Sequence, residues 1–389
     1  MRIAFDGTTL RPGRTGVGYY SEHLLHHMAT ECGGDDEVVV LSNRPLDTVS
    51  PLPPGVRVSA SASRLPRMVW LQTLAPRMLK RLGADVVHFT NGMVPLASAV
   101  PTVVTIHDMS LTLYPRYHPP RRVLLNRPLV DLAARRADAI ITVSESAKRD
   151  IVNVYGLDPQ RVHVVHEAAA PSFRPVRDEQ LLAQVRERYG LAERFILYVG
   201  TIEPRKNLPK LIEGFAKRRR SGDLPHQLVC AGPYGWLSRD IDDLIQGLQV
   251  QDAIRFTGYV PFDDLAALYT MAEMFVFPSL YEGFGLPVVE AMACGTPVIT
   301  GQVAALVEIG GGSVEHVDSL DAESLGLAMV ALARNPERRK ELSRLGQQRA
   351  RTFSWQRAAQ ETLNVYRLAA EGEAPARARV ATAYRSSTP

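Results

Sequence analysis

Short apolar runs recur along this chain and alternate with longer stretches of helical period. Runs at 3–6, 38–41, 85–89, 102–106, 139–143 and 161–165 are bounded by turn residues and read as buried strands. A second set follows at 195–200, 227–232, 254–258, 274–278 and 297–300. A helix opening near Val17 or Gly18 carries Tyr20, Leu24, Leu25 and Met28 on one side. Segments 145–154, 179–189, 263–271, 286–294, 321–333, 337–353 and 355–368 also read as helices, and another begins near Leu208. Strand-helix alternation throughout predicts an α/β chain with one parallel sheet per domain and a cleft between two such domains. The segment 171–177 reads as the linker, which sets domains at 1–172 and 173–354. A last amphipathic helix covers 355–370, and 371–389, rich in Ala, Arg, Ser and Thr, reads as a disordered tail.

One stretch departs from simple alternation. From Arg57 to Arg81 there is no acid, and Arg64, Arg67, Arg77, Lys80 and Arg81 interleave with Met68, Val69, Trp70, Leu71, Leu74, Met78 and Leu79. This predicts a basic amphipathic helix. Such a helix either lies on an anionic membrane or packs on its own domain with a solvated basic face. A second acid-free stretch, 116–127, contains Pro119-Pro120-Arg121-Arg122. Together they suggest a basic surface for an acceptor that carries phosphate, such as a lipid diphosphate.

Length and charge narrow the classes. At 389 residues the chain is long enough for two domains, taking about 150 residues for each. A formal net charge of +4 does not argue for nucleic acid. Cys32, Cys230 and Cys294 are far apart, without ligand spacing, which fits reduced thiols in a cytoplasmic protein rather than zinc or a disulfide framework. The apolar run after Met1-Arg2 is too short for a signal peptide, and no run approaches a membrane span.

Candidate chemistry centres on 281–301, YEGFGLPVVEAMACGTPVITG. Gly283-Phe284-Gly285 leads into Leu286-Pro287, with proline suited to a first helical turn and Gly295 to the stop. A helix start offers free amides to phosphate or sugar oxygens. Glu282 and Glu290 flank it as acceptors for sugar or ribose hydroxyls. Near the N-terminus, Gly16-Val17-Gly18 follows a basic loop after the first strand. The third glycine of a dinucleotide fingerprint is missing, and no acid ends a clear second strand. In the second domain, Gly200-Thr201 opens into Pro204-Arg205-Lys206-Asn207 before a helix. Arg205 offers a fork and Lys206 a point charge to an anion. His107 ends the run 102–106, where ligands of parallel sheets gather. Ser144 reads as a helix cap rather than a ligand contact.

The motif E-G-F-G-L-P-x-x-E-A-M-A-C-G-T-P-V, with V-T-I-H-D upstream and G-x-x-x-P-R-K-N between, resembles the retaining GT-B glycosyltransferases. The closest group is the large family 4-like set of bacterial polysaccharide and lipopolysaccharide mannosyl- and glucosyltransferases. The resemblance runs from Met1 to about Leu368 and implies two Rossmann-like domains, the first for the acceptor and the second for the donor. It implies that His107 contacts the donor sugar while Asp108 holds the loop and the imidazole. It further implies that Gly16, Val17, Gly18, Gly200, Thr201, Arg205 and Lys206 surround the donor diphosphate, with Phe284, Gly285 and Leu286 at the helix start. Glu290 would take the ribose diol, Glu282 the sugar hydroxyls, and Tyr259 and Val260 the base through their backbone. The 304–309 segment, with Glu308, would line the far wall, and the last helix would cross back onto the first domain. One departure is His166-Glu167-Ala168, where the family commonly has an asparagine-glycine turn.

The expected activity is retaining transfer of a hexosyl group, best matched to mannose from GDP-mannose, onto a glycan or lipid-linked acceptor. No metal or other cofactor is expected beyond the nucleotide diphosphate sugar, since Asp240-Ile241-Asp242 falls in a helix. The expected location is the cytoplasm, with a peripheral membrane contact through the helix around Trp70. Open alternatives are a UDP-sugar transferase, a nucleotide-sugar epimerase, a non-catalytic nucleotide-sugar-binding protein and an oxidoreductase.

Overall fold

The computed structural model describes residues 1–11, 16–46, 48, 51–61, 63, 65–236 and 240–372. Positions 12–15 of the N-terminal glycine loop, Arg64, and 373–389 of the expected tail lie outside them. The first sheet comprises Arg2–Asp6 (β1), Glu37–Ser42 (β2), Arg57–Ala60 (β3), Val86–Phe89 (β4), Thr102–Thr105 (β5), Ala139–Thr142 (β6) and Val162–Val164 (β7). The second comprises Phe195–Val199 (β8), Gln227–Ala231 (β9), Ile254–Gly258 (β10), Met274–Phe277 (β11), Val298–Gly301 (β12) and Glu315–Val317 (β13). Their orders are β3-β2-β1-β4-β5-β6-β7 and β10-β9-β8-β11-β12-β13. Every named pairing is parallel, so both faces of each sheet are covered by helices. Strand order reverses between β1 and β4 and between β8 and β11, and ligands of such sheets gather beyond these points.

Side-chain alternation builds the layers. Ile3 and Phe5 pack with Leu24, Met28, Leu363 and Tyr366, whereas Ala4 faces Trp70, Leu79 and Ala133 on the other side. In the second sheet, Phe195 and Leu197 join one core while Ile196 and Tyr198 join the opposite one. The helix Trp355–Ala370 follows the second sheet in sequence yet packs into the first lobe's core, against helix Gly16–Glu31. Its Tyr366 hydroxyl meets Nδ1 of buried His88 at 2.6 Å, and His88 Nε2 meets Thr105 at 2.7 Å.

The basic stretch differs from expectation. It is not one helix but edge strand β3 followed by helices Arg67–Thr73 and Ala75–Leu82. Pro66 stands at the first helix start, and Leu74 separates the two. Trp70 is 1% exposed, and its indole donates to Ser61 Oγ at 2.8 Å. Its ring is therefore core and does not face outward from this helix. No helix among the described residues is long and apolar enough to cross a membrane. A helix not anticipated, Pro120–Arg136, carries much of the second basic stretch. The glycine turn is also shorter than expected, because Gly16, Val17 and Gly18 already belong to helix Gly16–Glu31.

Candidate active site

The chain beyond β5 delivers His107 to the cleft side of the first lobe. Its Nδ1 lies 3.2 Å from Glu167 Oε1, and its Nε2 lies 3.1 Å from the Thr90 carbonyl. The edge of Tyr20 meets the ring at a centroid distance of 4.7 Å. With an oxygen acceptor at each nitrogen, the doubly protonated ring is favoured. Burial opposes that charge, but hydrogen bonding and attraction from Glu167 outweigh it, so the His107 pKa sits above its ordinary value. Glu167, not Asp108, holds the imidazole. Asp108 secures its own loop by accepting from the Ser110 amide at 2.8 Å.

The second lobe answers with an ion cluster beyond β8 and β11. The turn Pro204–Lys206 ends on Asn207 in the left-handed region, at φ 57°. Lys206 Nζ donates to Glu282 Oε1 at 2.6 Å and sits 4.8 Å from the Phe277 ring centre. Arg205 donates to Glu203 Oε1 and to the Tyr281 carbonyl, each at 2.7 Å, and pairs with Glu282 Oε2 at 3.0 Å. The fork expected to face ligand oxygens is thus turned onto protein oxygens. Burial alone would raise the Glu282 pKa, but Arg205 and Lys206 more than offset it and hold it at about 2. Burial, with Arg205 nearby, draws Lys206 below its ordinary value despite Glu282. Burial also works against Arg205, yet Glu282, Asp108 and Glu203 hold its pKa well above the ordinary value.

The lobes meet over the glycine turn that follows. Ser144 Oγ caps helix Glu145–Tyr155 and also donates to the Gly283 carbonyl at 2.6 Å. A Cβ on Gly283 would lie 1.9 Å from the His107 carbonyl oxygen, so only glycine permits this approach. Tyr281 reaches across to donate to Asp150 at 2.7 Å and accepts from the Met109 amide at 3.1 Å. Glu308, expected on the far wall, instead accepts from the amides of Glu145 and Ser146 at 2.9 and 3.0 Å and meets His166 Nε2 at 3.0 Å.

A cavity of about 170 Å³ lies at this junction. Gly16, Val17, His107, Glu282, Phe284, Gly285 and Leu286 all line it, as do Asp108, Val143, Glu167, Gly283 and Pro287. The start of helix Leu286–Ala293, with Gly285 at φ 109° before it, therefore borders the cavity, and no side chain caps that start. Lys206 and Arg205 stand behind Glu282 rather than in the wall. Glu290, one turn beyond Leu286, is buried and accepts from the Tyr269 hydroxyl at 3.0 Å. Burial raises its pKa to about 7, with Glu167 adding to the rise and Tyr269 opposing it. Gly200 and Thr201 pack at the end of β8, where a Cβ on Gly232 would strike the Gly200 carbonyl. Gly18 is buried within its helix. The Val260 side chain is core, whereas Tyr259 is exposed, its hydroxyl 3.4 Å from that of Tyr19. Among the described residues no cluster of three His, Cys, Asp or Glu side chains is placed to hold a metal ion.

Sequence reasoning missed Glu167 and Tyr281 and passed over Gly283 as part of a longer motif. An acid just past the end of a buried strand was the available signal for Glu167.

Comparison with known proteins agrees with this geometry. The pattern of "Glycosyltransferase Family 4" matches residues 14–172, and that of "Glycosyl transferases group 1" matches 184–349. O-antigen chain mannosyltransferase B of Escherichia coli is 32% identical over 267 residues, 68% of this chain and 70% of that protein. Among solved structures, sucrose-phosphate synthase from Thermosynechococcus elongatus superposes with a TM-score of 0.72 at 22% identity, covering 94% of this chain and 98% of that one. Anabaena HepE in complex with UDP and glucose gives 0.70 at 18% identity, covering 93% and 98%. The two parallel-sheet lobes, the cavity between them and these matches together make the chain a member of the family 4 glycosyltransferases, with the GT-B fold.

Proposed function

We propose that this glycosyltransferase is a retaining hexosyltransferase that moves mannose from GDP-mannose onto a glycan or lipid-linked acceptor in cell-surface polysaccharide assembly. One observation carries the reading. His107, Glu282 and an uncapped helix start converge on a single cavity, with Lys206 and Arg205 directly behind the carboxylate. Mannose is favoured by the similarity to the Escherichia coli O-antigen chain mannosyltransferase.

In this reading the donor diphosphate binds against the helix start and draws Lys206 away from Glu282. The Glu282 oxygen that Lys206 releases then accepts hydroxyls of the transferred sugar while Arg205 keeps the other, and Glu290 accepts from the ribose diol. The acceptor oxygen attacks the anomeric carbon on the face the diphosphate leaves. The bond from that carbon to the phosphate oxygen breaks, and this oxygen takes the acceptor's proton. Negative charge growing on the diphosphate meets Lys206, Arg205 and the helix amides, so fixed protein charges stabilise the transition state. No divalent metal is assigned to the step. His107, held by Glu167, presents a cationic edge to the sugar. Gly16 to Gly18 bound the diphosphate from the first lobe, Gly200 and Thr201 from the second. The backbone at Tyr259 and Val260 reads the base.

A UDP-sugar donor is the second reading, favoured by the HepE complex with UDP and glucose. A thermal-shift screen of GDP, UDP, ADP and their sugars separates the two, since the true donor raises Tm most. Lys206→Ala tests the chemistry. Losing one such charged donor is expected to lower kcat by roughly 100-fold or more at saturating donor. Unchanged kcat would refute the diphosphate role. Products analysed with and without acceptor distinguish transfer from epimerisation.

A further inference from the structure

We propose that Ser279 is a positioning residue that takes hold of Glu282 when a donor diphosphate draws Lys206 away. The inference rests on the diphosphate role of Lys206 given above, and adds the group that steadies the carboxylate once its lysine has gone. Ser279 follows β11 in the turn that carries Tyr281 and Glu282, and it is 0% exposed. Its hydroxyl has no hydrogen-bond partner among the described residues. A buried hydroxyl left unpaired destabilises the fold that holds it, so its presence calls for a second arrangement that uses it.

The turn around this hydroxyl is firmly held. The Leu280 amide donates to the Arg205 carbonyl at 2.9 Å, and Arg205 Nη1 donates back to the Tyr281 carbonyl at 2.7 Å. Phe277, just before the turn, lies under Lys206, with Nζ 4.8 Å from the ring centre. Two more buried polar atoms at this cluster are unpaired, Arg205 Nε and the Tyr198 hydroxyl. The Tyr198 hydroxyl and Lys206 Cε lie 3.7 and 3.9 Å from where a Cβ would stand on Gly200. The free protein therefore pairs its charges here and leaves neutral hydroxyls beside them unused.

The acceptor sites of Glu282 show what changes when Lys206 moves. Oε1 takes Lys206 Nζ at 2.6 Å, and Oε2 takes Arg205 at 3.0 Å. Burial opposes the charge on this carboxylate, Arg205 and Lys206 outweigh it, and Ser279 adds a smaller share. The hydroxyl thus already stands close to the carboxylate, short of bonding geometry. A carboxylate oxygen has room for more than one donor. Once Lys206 turns to the diphosphate, a sugar hydroxyl takes one site on Oε1, and rotation of the Ser279 side chain brings its O–H onto another. Arg205 on Oε2 and Ser279 on Oε1 then fix the plane of the carboxylate. With Arg205 alone, the carboxylate could swing about a single anchor, and the sugar it holds would lose its alignment.

The test is a double-mutant cycle of Ser279→Ala with Lys206→Met, which keeps an apolar stem over Phe277 and mimics the departure of the lysine from Glu282. Stability is read from urea midpoints without nucleotide. In the wild-type background Ser279→Ala is expected to leave the midpoint unchanged or raise it, because an unpaired hydroxyl is removed. In the Lys206→Met background it is expected to lower the midpoint, because there the hydroxyl already serves Glu282. Affinity for GDP and UDP is read by calorimetry. Ser279→Ala alone is expected to weaken it roughly tenfold, the scale of one hydrogen bond to a charged group, and to weaken it no further in the Lys206→Met background. Should Lys206→Met fail to fold, the single variant still decides, since a purely structural hydroxyl would lower the midpoint and leave the affinity alone. The proposal is overturned if Ser279→Ala lowers the midpoint equally in both backgrounds, or leaves nucleotide affinity unchanged in the wild type. A Lys206→Met variant that binds both nucleotides like the wild type instead refutes the diphosphate role on which the inference rests. The nucleotide-free midpoints tell the two failures apart.

Discussion

Glu290 shows how a buried carboxylate costs stability in the free protein. Its pKa rises from an ordinary 4.5 to about 7, mainly through burial. An acid with a raised folded pKa supports folding fully below its unfolded pKa and loses that support as pH rises through the folded one. The window here is pH 4.5 to 7, and the full loss is roughly 3 kcal/mol at about 1.4 kcal/mol per pH unit. Glu290→Gln should therefore be more stable than the wild type at pH 8, by about 2–3 kcal/mol in urea melts, with little difference at pH 4.5. Its donor affinity should fall, and the rise of wild-type affinity through pH 7 should flatten. A second residue-scale test concerns Glu167. Glu167→Gln removes the carboxylate that favours His107 as a cation, so the imidazole titration followed by NMR should move to lower pH. Gly283 makes a third. Gly283→Ala places a Cβ against the His107 carbonyl, and small-angle scattering should show the lobes held apart with kcat reduced. Most of these residues sit in recognisable motifs, but Glu167 does not. Its importance comes from a neighbour 60 residues earlier.

Among elements, helix Glu145–Tyr155 is informative because its N-terminus is served from both lobes. Ser144 caps it locally, and Glu308 of the second lobe accepts from its first amides. A carboxylate there gains from the helix dipole by about 0.3–1 kcal/mol, up to ~2 when partly buried. Glu308→Ala should thus leave each lobe folded but weaken closure, seen as a larger radius of gyration and a higher donor KM. The Ser144 cap was legible because its partner lies three residues on; the Glu308 contact was not, because it spans 163 positions. Element prediction failed for related reasons. In 57–81 a single amphipathic period concealed a strand and two helices, since local pattern does not reveal that β2 offers an edge to Arg57–Ala60. Helix Pro120–Arg136 was hidden by Pro128 in its interior, which removes one helical hydrogen bond and ordinarily marks a break.

At the scale of the molecule, the C-terminal helix Trp355–Ala370 joins the two lobes by packing on the first. Trp355, Leu363, Val365 and Tyr366 are buried there, and fully burying such side chains contributes about 1.5–3 kcal/mol each. Their sum rivals the ~5–15 kcal/mol stability of a whole domain. A chain ending at residue 354 should lose the cooperative melt of the first lobe while the second still unfolds cooperatively, which differential scanning calorimetry can resolve. The alternation of short apolar runs with helical segments determined two parallel sheets, because a strand covered on both faces must be apolar along its length. Spaced glycines and acids likewise determined the helix start at Gly285. Only the tertiary structure decided that Trp70 is core, that Glu167 holds His107, and that Glu282 binds both cations. Each of those facts depends on which surfaces meet when the layers close. The energy of such contacts lies between residues far apart in the chain, where no local period records it.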